Sequence, residues 1–83
     1  MTALERLLNT GNHLDVFRWE NHNESGIGVS FQDCDTKDGM FLVGTFGSGK
    51  TFEEACEDYI RKISRKTLVF HAYTDHRTEV TII

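Results

Sequence analysis

Residues 52–63 constrain the fold most. Phe52, Ala55, Cys56, Tyr59, Ile60 and Ile63 recur at i, i+3, i+4, i+7, i+8 and i+11, the spacing of one apolar helix face. Glu53, Glu54, Glu57, Asp58, Arg61 and Lys62 fill the other face, acids first and bases last, as the helix dipole favours. Such a helix must dock on something, and strand-like runs flank it. Residues 13–20 are rich in aromatic and β-branched types, Ile27, Val29 and Phe31 alternate with small or polar residues, and Met40–Val43 follow the turn pair Asp38-Gly39. After the helix come Thr67–Tyr73, a turn over 74–77, and Thr78–Ile83. Thr2-Ala3-Leu4-Glu5 is a capping box opening a short helix over 3–9, with Leu4, Leu7 and Leu8 on one face and Gly11 as its stop.

The order α-β-β-β-α-β-β predicts an α+β domain: a mainly antiparallel sheet of four to five strands, the 52–63 helix packed on one face, and the short N-terminal helix at an edge or on the other face. Strands 27–31 and 40–43 are expected to form a hairpin around a loop over 33–39. Eighty-three residues without proline, linker or repeat predict one domain spanning 1–83.

Hydrophobic residues at 39% and charged residues at 27% exclude a disordered or low-complexity chain. No apolar run approaches the roughly 20 residues needed to cross a bilayer, and the N-terminal residues carry no leader pattern, so a cytoplasmic protein with no membrane partner is expected. The net charge of −4 disfavours nucleic acid. Residues 1–49 hold three basic and seven acidic side chains, so the acid surplus lies in that part of the chain. Cys34 and Cys56 stand 22 positions apart without a CxxC pair, which predicts neither a metal framework nor a disulfide.

Gly44-Thr45-Phe46-Gly47-Ser48-Gly49-Lys50-Thr51 matches G-x-x-x-x-G-K-[ST] between a strand and a helix, the context of a phosphate-binding loop. In that reading Gly44 and Gly49 shape the loop, Lys50 reaches the outer phosphates and Thr51 binds magnesium. The companion strand with a magnesium-binding aspartate is missing, because 67–73 has no acid before Asp75. A hairpin ahead of the loop also conflicts with a parallel nucleotide-binding sheet. The same residues read as a tight turn followed by a capping box, Thr51 as N-cap and Glu54 at N3, and no cofactor is expected.

Phe41-Leu42-Val43 running through Gly49-Lys50-Thr51-Phe52-Glu53-Glu54-Ala55 resembles the strand-Gly-x-Thr-x-Glu-Glu-Ala-helix segment of HicB-type antitoxins, over roughly residues 26–73. The resemblance implies a three-stranded sheet followed by a helix and a further strand. The DNA-binding segment often appended at the C-terminus of that family has no counterpart in this length. Thr51-Phe52-Glu53-Glu54-Ala55-Cys56-Glu57-Asp58-Tyr59 after the glycine-rich entry is also similar to small uncharacterised proteins of bacteriophages and prophages.

Remaining clusters point to no catalysis. His71, Asp75 and His76 lack a fourth metal partner, and Asp33, Asp35 and Asp38 depart from the calcium-loop spacing. Cys34 stands between two aspartates that raise a thiol pKa, and Cys56 falls on the core face. Arg61, Lys62, Arg65 and Lys66 form the one basic cluster, a candidate anion or nucleic-acid contact that also balances Glu57 and Asp58. Met40–Val43 and Leu68–Phe70 carry consecutive apolar residues, so both sheet faces need cover. Phe17 and Trp19, rimmed by Glu20, Glu24, Asp33, Asp35 and Asp38, are the candidate interaction surface. The expectation is therefore a non-catalytic, phage-type accessory protein that binds and modulates another protein, as a homodimer or with a hetero-partner. The alternatives are an antitoxin-like regulator and a nucleotide-binding module.

Overall fold

The structure, a computed structural model, describes residues 2–81. Its elements are α1 (Ala3–Leu8), β1 (Leu14–Glu20), β2 (Ser25–Phe31), β3 (Cys34–Asp38), β4 (Phe41–Val43), β5 (Gly47–Gly49), α2 (Phe52–Ile63), β6 (Thr67–Phe70) and β7 (Thr78–Thr81). The α+β class and the main helix are as expected. Among the described residues the strands number seven and form two antiparallel sheets, β1-β2-β5 and β4-β3-β6-β7.

Two short strands account for the difference. Residues 34–38, expected as loop, are β3, the inner strand that joins β4 to β6. Its polar side chains masked it, yet Thr36 is buried. The expected pairing of 27–31 with 40–43 is thereby corrected: the hairpin is β3–β4, closed by Gly39 and Met40, with Gly39 at φ 62° as a two-residue hairpin loop needs at its first position. The second missed strand is β5, whose sequence is Gly-Ser-Gly.

The chain changes sheets at Gln32-Asp33. Gln32 N–H donates to His13 O and prolongs the β1–β2 ladder, while His71 N–H donates to Asp33 O and prolongs the β3–β6 ladder. Asp33 and His71 both take the left-handed backbone, at φ 51° and 54°. The turn at His71 ends at Phe70 a strand expected to reach Tyr73. The strand expected over 78–83 is β7 as far as Thr81, and its last two positions lie outside the described residues.

The core gathers Val29 and Phe31 of β2, Ala55, Cys56, Tyr59 and Ile63 of α2, Leu68 and Phe70 of β6, and Leu7 of α1. Phe31 lies between Tyr59 and Phe70, with ring centroids 5.5 and 5.6 Å away. Tyr59 Oη accepts the Phe31 N–H at 3.0 Å. Burial first, partly offset by that amide, raises the Tyr59 hydroxyl pKa, so the ring stays neutral. The helix α1 packs against α2, not on the opposite face. Only Leu7 of its three leucines is fully buried, and Leu8 is exposed.

Candidate functional site

The middle of the Gly44–Thr51 string is β5, an edge strand sealed by the helix that follows it. A Cβ on Gly47 would strike Ala55 O and Tyr59 Cβ, and one on Gly49 would lie 2.6 Å from Glu54 Cβ, so α2 rests directly on the β5 backbone. Alternation turns the even residues' main-chain groups away from β2, and α2 side chains bond three of them. Ser48 N–H donates to Asp58 Oδ2 at 2.9 Å, Lys50 N–H to Glu54 Oε2 at 3.1 Å, and Lys62 Nζ to Phe46 O at 3.1 Å. Glu54, Asp58 and Lys62 are one turn apart, and so stand in register with residues spaced by two on the strand.

Two amides that a phosphate would need are thus held by carboxylates of the same chain. Lys50 alternates with Gly49 onto the face that carries Trp19, where the two line a shallow depression. Thr51 is the N-cap, its Oγ1 accepting the Glu54 N–H at 3.2 Å.

Half of the basic cluster is also engaged. Asp58 pairs with Arg61 and, at 2.9 Å, with Lys62. Its side chain is only 14% exposed. Desolvation alone would raise the Asp58 pKa, but the Ser48 amide, then Lys62 and Arg61, outweigh it and hold it below the usual carboxylate value. Arg65, at φ 64°, and Lys66 are exposed beyond the helix end.

The candidate aromatics serve as their own cover. Phe17 and Trp19 project from the face of the first sheet opposite α2, opposite Gly28 and Gly26, where a Cβ would overlap either ring. Both glycines are buried beneath them, and Phe46 meets Phe17 edge to face at 5.5 Å. Trp19 is half-buried, its indole nitrogen unpartnered among the described residues.

The acidic rim is divided. Glu20 and Glu24 flank the β1–β2 turn, Asp38 closes the β3–β4 hairpin opposite Phe41, and Asp33 and Asp35 line a polar cleft of about 460 Å³ with Asp15, Cys34, His71 and Tyr73. His71 Nδ1 stands 3.7 Å from Asp33 Oδ2. Among the described residues no three His, Cys, Asp or Glu side chains gather as for a metal. Burial, then the Asp35 charge, pushes the Cys34 thiol up to about 11, which keeps it protonated and a poor nucleophile near neutral pH.

The candidate residues reach the β3–β4 hairpin at Asp35 and Asp38 but leave out its apolar half, Met40 to Val43. Met40 is 98% exposed, Phe41 74% and Val43 40%, and β4 is an edge strand without a charged side chain. Among the described residues the other edges carry charge or cover: β5 is covered by α2, β1 carries Asp15, Arg18 and Glu20, and β7 carries Glu79, which Lys37 and Arg77 hold. The apolar run was visible in the sequence, but its place at an edge depends on β3 being a strand. No protein-family model, curated protein or solved structure matches the chain. No helix among the described residues is long and apolar enough to cross a membrane.

Proposed function

We propose that this chain is a small non-catalytic accessory domain that acts by binding a protein through the β3–β4 hairpin. The observation that carries the reading is the exposure of Met40 (98%) and Phe41 (74%) on a hairpin whose edge strand is uncharged, a combination that folded proteins otherwise blunt. The nucleotide alternative draws on Ser48 and Lys50 amides already bonded to Asp58 and Glu54. The regulator alternative rests on a segment whose Thr-x-Glu-Glu portion serves here as a helix cap. Affinity capture with the wild-type chain and with Phe41→Lys tests the proposal. A prey retained by the first and lost by the second, with equal melting temperatures, is the expected result. Identical prey on both would place the binding surface elsewhere.

A further inference from the structure

We infer that the occupant of the β4 edge is a second copy of this chain, paired antiparallel about Leu42 to give a two-fold dimer; the inference rests on the hairpin being the binding surface and names its partner.

The backbone of β4 is poised for such pairing. In an antiparallel ladder hydrogen-bonded and non-bonded pairs alternate. The His71 N–H donating to Asp33 O turns the odd residues of β3 toward β6, so Thr36 and Asp38 bond Val43 and Phe41, while Leu42, opposite Lys37, directs its amide and carbonyl out of the sheet. Two copies meeting at Leu42 exchange those two hydrogen bonds. Phe41 then faces Val43 of the second copy and Val43 its Phe41, large against small. Both lie on the sheet face that carries Thr36, Leu68 and Val80.

Charge favours this occupant over a basic partner. The chain carries −4, so two copies repel wherever acids oppose, and from Gly39 to Lys50 no side chain is charged until Lys50 itself. A basic protein would be recognised by acids on the contact strand, and β4 has none. Met40, Phe41 and Val43 together offer roughly 400 Å² of apolar surface per copy. A total near 800 Å² falls below the roughly 1,200–2,000 Å² of stable specific interfaces and fits only a weak, concentration-dependent dimer.

Sedimentation equilibrium from micromolar to millimolar concentration, on the purified chain alone, tests the inference with two variants. Leu42→Pro removes the outward amide without taking a hydrogen bond from β3. Phe41→Lys places like charges near the two-fold axis, and it decides the matter should the proline variant fail to fold. The expected result is a wild-type mass rising from monomer to dimer, and a monomeric mass at every concentration for each variant that melts like the wild type. A wild-type chain monomeric throughout, or a dimer that survives Phe41→Lys, overturns the inference. A monomeric wild type whose lysate prey is still lost in Phe41→Lys would refute the second copy and leave the binding surface standing.

Discussion

Replacing Gly47 with alanine separates the two roles the glycine string could have. In the phosphate-loop pattern Gly47 occupies a free position and Gly44 a required one; in the structure the order is reversed. A Cβ on Gly47 would overlap Ala55 O, Tyr59 Cβ and the Tyr59 amide nitrogen, whereas one on Gly44 has nothing within 4 Å. The obstructing atoms belong to the helix backbone and the first side-chain carbon, so no rotamer change relieves them. Ordinary carbon contacts lie near 3.5–4.0 Å, so α2 must back away by about 1 Å, which also strains the bonds from Glu54, Asp58 and Lys62. Overpacking of this kind costs about 1–3 kcal/mol, and each kcal/mol moves the melting temperature of a domain this size by roughly 4–8 °C. Gly47→Ala should therefore melt about 10 °C below the wild type by circular dichroism. Gly44→Ala, with no positive φ to lose, should match it or gain up to about 1 kcal/mol from reduced unfolded-state freedom. A Gly47→Ala melt within about 2 °C of the wild type, or an equal loss in Gly44→Ala, would refute direct packing of α2 on β5.

Asp58→Ala should lower stability in urea by about 1–3 kcal/mol, because the Ser48 amide loses a charged acceptor. Glu57→Ala, on the exposed side of the same turn, should stay within about 0.5 kcal/mol. The folded pKa of Asp58 lies below its ordinary value of 3.8, so its contribution is complete above 3.8 and is lost as pH falls through the folded value. Melts between pH 5 and pH 2 should show a steeper acid loss in the wild type than in Asp58→Asn, and equal slopes would contradict the pairing. Thr51→Ala should cost about 1 kcal/mol from the lost cap, while Lys50→Ala should be thermally silent and calorimetry with Mg-ATP should give no binding heat. Micromolar binding abolished by Lys50→Ala would restore the nucleotide reading.

Legibility in the sequence followed the strength of local signals. The helix over 52–63 was readable to the residue, because its apolar period and the Thr51 cap agree. By contrast, Cys-Asp-Thr-Lys-Asp reads as a loop because its strand propensity is poor, and only its place between β4 and β6 makes β3 a strand. Glycine in β5 misled for the same reason, since close approach of a helix favours the residue that propensity disfavours. Phe17 and Trp19 read in the sequence as aromatics without a second layer. Their resting place over Gly28 and Gly26 needs the β1–β2 register, which follows from the alternation of both strands together. The hairpin's exposure escaped because a run such as Met-Phe-Leu-Val reads as core until the strand order is known.

The charged face of α2 has more to do than keep the helix in water. A helix advances about 6 Å over four residues and a strand about 6.7 Å over two. Residues 54, 58 and 62 can thus track 50, 48 and 46 with a mismatch of under about 1 Å per step, which Glu, Asp and Lys side chains absorb. Each of these strand residues turns an amide and a carbonyl outward, and the helix side chains select between them: carboxylates take the amides of Lys50 and Ser48, and an ammonium takes the carbonyl of Phe46. An acids-first, bases-last order suits this edge as well as it suits the helix dipole. One substitution set distinguishes the two causes. Exchanging Asp58 and Lys62 leaves the helix composition unchanged but sets an ammonium against the Ser48 amide, so the loss should exceed the roughly 0.3–1 kcal/mol per charge of a dipole effect and should be matched by faster exchange of the Ser48 amide hydrogen.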